Sequence, residues 1–168
     1  MTVLYPGTFD PITLGHLDIV RRASAIFPDL MVAVAARSPK NLIFTVDERL
    51  DLVGRSLRET GLDGVRVTSF DSLLIDCMKE CGAQIFVRGL RANTDFEYEF
   101  QMHLANRKLA PGMTGIYLMP SESSIYLSST LVKEIASYGG SLSAFVTPSV
   151  EEALRRMFGG DRTGDRQN

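Results

Sequence analysis

Five short apolar runs, each followed by a stretch with helical spacing, most narrow what this chain can fold into. Thr2 to Tyr5, Leu30 to Ala36, Val65 to Ser69, Gln84 to Val87 and Gly115 to Met119 show little polar alternation. That is the pattern of parallel strands covered on both faces. The segments between them carry helix start and stop signals. Thr45-Val46-Asp47-Glu48 reads as a capping box, followed by Leu50, Val53 and Leu57 on one face. Thr94-Asp95-Phe96-Glu97 repeats the device before Phe96, Phe100 and Leu104. Leu73, Leu74, Cys77, Met78 and Cys81 form a further stripe, closed by Gly82 in a position that favours a left-handed C-cap. Ser149 to Glu152 opens a last helix that ends near Phe158. Strands taking turns with helices predict a doubly wound α/β domain built on a five-stranded parallel sheet with right-handed crossovers.

At roughly 150 residues per domain, 168 residues allow one. The expectation is a single domain over 1–158 and a flexible, polar, glycine-containing tail over 159–168. A content of 45% apolar and 23% charged residues excludes a disordered or low-complexity chain. With 18 basic residues against 20 acidic, the net charge is -2. That argues against nucleic acid as a partner, while leaving room for a local cation cluster that holds a few phosphates. The longest apolar run, Leu30 to Ala36, is far shorter than the roughly 18 residues of a membrane span. The first cation is Arg21, so no secretory signal is readable. A cytoplasmic protein with no membrane partner is expected. Cys77 and Cys81 read as reduced, half-buried thiols, since two ligands alone do not make a zinc site.

A doubly wound sheet binds ligands beyond the carboxyl ends of its strands, so chemistry is expected just after each strand. After the first comes Pro6-Gly7-Thr8-Phe9-Asp10-Pro11-Ile12-Thr13-Leu14-Gly15-His16. This loop is neither a dinucleotide fingerprint nor a P-loop. It delivers a histidine near a helix N-terminus, where an imidazole can donate to a phosphate oxygen and Gly15 permits a ligand close to the backbone. The plainer reading of His16 is a first-turn cap, and His103, within a long helix, reads as structural or surface. Lys40 follows the second strand in a polar loop, where a solvated lysine is the default. Arg88-Gly89-Leu90-Arg91 follows the fourth, and paired guanidiniums at a strand exit match phosphate oxygens. After the fifth, Ser128, Ser129 and Thr130 open a helix, either as simple caps or as donors to a polyphosphate. Four loops at one end of one sheet thus bring cations and donors together with no evident nucleophile. Such a site suits phosphoryl or nucleotidyl transfer, where catalysis is mainly positioning and charge stabilisation.

Thr13-Leu14-Gly15-His16 resembles the (His/Thr)-x-Gly-His signature of the nucleotidyltransferase superfamily. Leu127-Ser128-Ser129-Thr130 with Lys133 resembles its second signature. Tyr5 to Pro11, Arg88 to Arg91, Asp95 to Glu99 and Ser128 to Glu134 together resemble the bacterial phosphopantetheine adenylyltransferase family, along nearly the whole chain. The resemblance implies a Rossmann-like nucleotidyltransferase fold and a reaction: ATP and 4'-phosphopantetheine give dephospho-coenzyme A and pyrophosphate, by direct in-line attack without a covalent intermediate. It implies His16 as transition-state stabiliser. It implies ATP contacts from Thr8, Phe9, His16, Gly89, Leu90, Arg91, Glu99, Ser124, Ile125, Tyr126, Leu127, Ser128, Ser129 and Thr130, with Ser128 and Ser129 as direct donors. Thr8, Lys40, Leu74 and Arg88 would bind the acceptor, with Asp71 and Leu73 near its arm. Mg2+ is expected on the ATP phosphates with no protein metal cage. Coenzyme A as feedback inhibitor and a homohexamer are implied as well, with Phe96, Phe100 and Leu104 offering an interface face.

Two departures stand out. Ser124 occupies the position where many relatives carry an aromatic residue, and Thr130 stands where a third serine is usual. Two rival readings share parts of the pattern. Another small nucleotidyltransferase, for cytidylyl transfer or nicotinate mononucleotide, would keep His16 and the serine cluster without Arg88 to Arg91 followed by Asp95 to Glu99. A non-catalytic ATP sensor would have no use for a transition-state donor.

Overall fold

Every predicted strand forms, within two residues of its expected ends. The computed structural model describes residues 1–39, 41–91 and 93–159, the side chains of 93–95 and 98 excepted. In chain order come β1 (Val3–Gly7), α1 (Leu14–Ile26), β2 (Leu30–Ala35), α2 (Val46–Glu59), β3 (Arg66–Phe70) and α3 (Leu74–Glu80). Then follow β4 (Ile85–Gly89), α4 (Asn93–Leu109), β5 (Thr114–Leu118), α5 (Ser129–Ser137) and α6 (Pro148–Gly159), with one 3-10 turn at Glu122–Ser124. Residues 160–168, in the expected tail, lie outside the described residues, as does Lys40.

All pairings are parallel, in the order β3-β2-β1-β4-β5. The chain winds outward from β1 in one direction and then restarts at β4 on the other side, so the switch point lies between β1 and β4. Successive side chains of a strand point to opposite faces, and both faces are covered here. Val3, Tyr5, Val32, Val34 and Val87 meet α1, α2, α5 and α6 on one side. Leu4, Met31, Ala33 and Phe86 meet Cys77 and Met78 of α3 on the other. This two-sided burial, worth about 1.5–3 kcal/mol for each large apolar side chain, is why the strands lack polar alternation.

The central seam is incomplete. β1 pairs with β2 along its whole length, from Val3 to Gly7. With β4 it pairs only at Val3 and Leu4. Pro6 has no N–H to extend that ladder, and the two strands separate beyond it.

Several local expectations hold. Thr45 and Glu48 form the reciprocal capping box of α2. Gly82 takes a φ of 64°, just past the Cys81 C-cap. Cys77 is buried and Cys81 half-buried, both as free thiols. The capping box expected at Thr94 to Glu97 falls on side chains outside the described residues. Val53 and Leu57 of α2 are buried and Leu50 packs against the same core, with Arg49, Leu52 and Ser56 buried beside them. One expectation needs correcting. Leu73 of the α3 stripe is exposed. Phe96, Phe100 and Leu104 of α4, expected to offer an interface face, are each about half exposed at 54%, 51% and 50%. No helix among the described residues is long and apolar enough to cross a membrane.

Candidate active site

The parting of β1 from β4 opens a cleft of about 350 Å3 at the carboxyl end of the sheet. Thr8, Phe9, His16, Arg88, Gly89, Arg91, Glu99, Ser124, Leu127, Ser128, Ser129 and Thr130, all expected from the sequence, line it together. Leu90, Ile125 and Tyr126 are not among the lining residues, and the last two point largely to solvent, 48% and 56% exposed. Leu74 lines a second cavity of about 150 Å3 that shares Pro6, Gly7, Thr8, Arg88 and Glu99 with the first.

His16 is both cap and candidate donor. It stands three residues after Thr13, the N-cap of α1, and the two form a reciprocal capping box. The Thr13 hydroxyl oxygen accepts the His16 amide at 3.3 Å, and the Thr13 amide donates to Nδ1 at 3.0 Å. With Nδ1 accepting, the neutral ring carries its proton on Nε2. Burial, reinforced by the Arg91 and Arg88 guanidiniums, pushes His16 from the usual 6.5 down to about 3. The imidazole is therefore a neutral donor throughout the physiological range. Phe9 packs edge-on against it, with ring centroids 5.2 Å apart, and against Tyr5 at 5.4 Å. To do so Phe9 adopts a φ of 50°, a conformation a non-glycine residue takes only when its surroundings hold it there. A Cβ on Gly7 would come within 2.8 Å of the Phe9 ring, so glycine at that position keeps the wall intact.

Gly15 lines the cleft and also lets two segments of the chain meet. A Cβ there would meet Leu127 Cβ at 3.2 Å and the Ser124 carbonyl at 3.4 Å. The close approach it permits is between α1 and the segment 124–127, which seats the hydroxyl cluster opposite His16.

The cations are anchored by backbone and carboxylate groups. Arg88 makes a two-pronged contact with Glu99, from Nε at 3.0 Å and from Nη2 at 3.0 Å, and donates from Nη1 to the Pro6 carbonyl at 2.8 Å. Arg88 thus bridges the strands where their ladder stops. Arg91 donates to the Leu127 carbonyl, joining the β4 exit to the α5 entry. Burial holds the Tyr5 phenol above its ordinary value on the cleft floor. Ser128 is the N-cap of α5, its Oγ accepting the Leu131 amide at 3.1 Å. Ser129 Oγ donates to the Pro11 carbonyl at 2.8 Å. What Ser129 offers a ligand is therefore its amide, at a helix N-terminus suited to anions.

Sequence reasoning missed two supports. Asp10, 3% exposed, accepts the Ile43 and Phe44 amides at 3.1 and 3.0 Å and pairs with Lys133 at 3.0 Å. Arg49, 1% exposed, donates to the carbonyls of Thr8, Ala35, Ala36 and Phe44. These two charges tie together the exits of β1 and β2 and the start of α5. Only a charged position on the inward face of α2 hints at Arg49. His103, expected to be structural or surface, packs against Phe86 and Tyr117 and lines the second cavity. Among the described residues no cluster of three or more metal-ligating side chains occurs.

Comparison with known proteins follows the same lines. A family model described as cytidylyltransferase-like matches residues 4–135. Phosphopantetheine adenylyltransferase of Methylococcus capsulatus is 49% identical over 95% of this chain and 98% of its own length. The protein of that name from Hahella chejuensis is 49% identical over 94% of this chain and 96% of its own. Among solved structures, a bifunctional NMN adenylyltransferase/ADP ribose pyrophosphatase from Francisella tularensis superposes with a TM-score of 0.71 at 14% identity. It covers 94% of this chain and 49% of that one, a likeness of fold alone. Match length, identity and coverage agree: the chain belongs to the cytidylyltransferase-like nucleotidyltransferases and, among them, to the phosphopantetheine adenylyltransferases.

Proposed function

We propose that the cleft transfers the adenylyl group of ATP to 4'-phosphopantetheine, giving dephospho-coenzyme A and pyrophosphate in coenzyme A biosynthesis. The carrying observation is the Thr13–His16 capping box, which leaves a neutral imidazole donor on a wall shared with Arg88, Arg91 and the α5 N-terminus. The acceptor phosphate attacks the α-phosphorus in line, and the bond to the β-phosphate oxygen breaks. Negative charge grows on the α-phosphate oxygens, where His16 donates from Nε2. Donors aimed at developing charge in a site partly closed to water lower the barrier most. Thr8 orients the attacking phosphate. Arg91 and the first amides of α5 hold the β- and γ-phosphates. Ser128 keeps its hydroxyl proton for a phosphate oxygen, because its Oγ accepts within the cap.

The second cavity suits the acceptor's arm. Phe70, Leu74, Phe86 and Met102 give it apolar walls, with Asn106, Tyr117 and His103 as polar points. The placement of Lys40 on the acceptor phosphate rests on the family resemblance.

A divalent metal accompanies ATP in nucleotidyl transfer generally, and Mg2+ is the ion proposed here. Asp10 and Glu99, the two carboxylates among the described lining residues, are engaged by Lys133 and Arg88. The ion would be held through the ATP phosphates and would offset their charge. Assembly as a homohexamer is supported by the exposed apolar row on α4, and inhibition by coenzyme A by the arm it shares with the acceptor.

The test is conversion. Purified protein with ATP, Mg2+ and 4'-phosphopantetheine should release pyrophosphate and a product of dephospho-coenzyme A mass. Turnover of nicotinate mononucleotide or of a CTP-dependent acceptor instead would overturn the reading, and so would ATP binding with no turnover.

A further inference from the structure

Beside the second cavity the fold leaves a polar group unused. Nδ1 of His103 is buried and is the one buried side-chain nitrogen or oxygen among the described residues with no hydrogen-bond partner. Its ring sits in an aromatic cluster, 6.2 Å from Phe86 and 6.0 Å from Tyr117 between centroids. Gly115 makes the space, since a Cβ there would lie 2.8 Å from Nδ1. A phenylalanine or leucine would fill such a niche without stranding a polar atom. A buried unsatisfied group is uncommon and costly in a folded protein, and each calls for a physical reason. Nδ1 is enclosed beside Gly115, while the ring to which it belongs lines the cavity together with Asn106 and Met102 of the same helix, so a flip of the ring carries this nitrogen toward the cavity.

We propose that His103 is a binding residue for the acceptor arm, its imidazole hydrogen-bonding an amide of the arm and thereby selecting acceptors that carry one. This rests on the reading of the cleft as a phosphopantetheine adenylyltransferase site. The chemistry fits: an arm of amides separated by methylenes needs apolar walls with a few polar points. A neutral imidazole can serve either side of an amide, since one ring nitrogen donates and the other accepts. A half-turn about the ring's last torsion also exchanges Nδ1 with a carbon, so either edge can face the ligand.

The chain contains only two histidines, His16 and His103. Nitrogen-15 NMR of the imidazoles therefore gives a direct reading, with His16→Gln assigning the pair. Saturating 4'-phosphopantetheine without ATP should shift the ring nitrogens of His103, whereas ATP alone should leave them in place. In kinetics, His103→Phe should raise KM for 4'-phosphopantetheine roughly tenfold, the scale of one hydrogen bond. KM for ATP and kcat should stay within about twofold, and His103→Gln should restore part of the loss. A shorter phosphorylated alcohol without the amides should be used equally by wild type and His103→Phe.

Unmoved ring signals at saturating acceptor would overturn the proposal. So would equal losses for the long and the short acceptor, which mark a structural role. If His103→Phe does not fold, the NMR titration and His103→Gln decide. Failure of the wild type to convert 4'-phosphopantetheine overturns the function reading instead, and the ring signals then report separately whether His103 meets the acceptor.

Discussion

Lys133 Nζ lies 3.0 Å from Oδ2 of Asp10, pairing α5 with the loop after β1 across 123 residues of sequence. Both residues line the cleft, but the carboxylate is almost fully enclosed while the ammonium is partly open. The pair therefore acts as a brace between the two segments that carry His16 and the hydroxyl cluster.

Lys133→Ala leaves the buried Asp10 side chain with the Ile43 and Phe44 amides and the nearby Arg49 guanidinium, and without its ion-pair partner. Removing one partner of a buried pair costs about 3–5 kcal/mol, and the partial exposure of Lys133 places the expected loss at the lower end. Urea unfolding at neutral pH measures it. A change below about 0.5 kcal/mol, the scale of a surface pair, contradicts the brace.

His16→Ala should lower kcat by about 10²-fold or more while the ATP dissociation constant changes far less, because its donor is needed mainly as charge develops. Rapid-quench turnover with calorimetric ATP binding separates the two. Comparable losses in both would move His16 from transition-state stabilisation to ground-state binding.

Protonating His16 should be resisted by the folded chain. Its folded value of about 3 lies below the ordinary 6.5, so between those values the unfolded chain binds the extra proton. The contribution to stability is fully present above about pH 6.5 and is lost as pH falls toward 3. Wild type should lose more stability than His16→Gln between pH 7 and 5, read from urea midpoints. Identical pH slopes would count against a buried neutral imidazole.

Thr13→Val removes the hydroxyl that caps α1 and contacts Nδ1. A lost N-cap costs about 1 kcal/mol of stability. The ring also loses part of its orientation, so kcat should fall about tenfold with KM for ATP little changed. A variant with full kcat and lowered melting temperature would show the threonine to be a cap only.

Arg91→Ala should weaken ATP binding at least tenfold by calorimetry, since one guanidinium both joins Leu127 and faces the cleft. Unchanged affinity refutes its assignment to the β- and γ-phosphates.

The sheet and most of the cleft were legible in the sequence because both rest on local rules. A parallel strand covered on both faces has to be an apolar run, and a doubly wound sheet opens at its strand exits. What escaped depends on contacts far apart in the chain. Arg49 collects the Thr8 carbonyl 41 residues away, and a charged position on an inward helix face is the only local sign of it. The pairing of Asp10 with Lys133 joins residues 123 positions apart and leaves no local signal. Gly15 reads as a site of close approach for a ligand, and that it also seats the protein's own segment 124–127 shows only in the fold. His103 was set aside because periodicity cannot tell a residue against a core from one against a cavity.

Where β1 and β4 stop pairing after Leu4, the sheet becomes two panels sharing a narrow hinge at one end. A ligand seated across that gap supplies cross-links the backbone leaves out, with Arg88 to Pro6 as the protein's own partial substitute. An occupant spanning both panels should therefore stiffen the middle of the molecule more than any fragment resting on one panel alone.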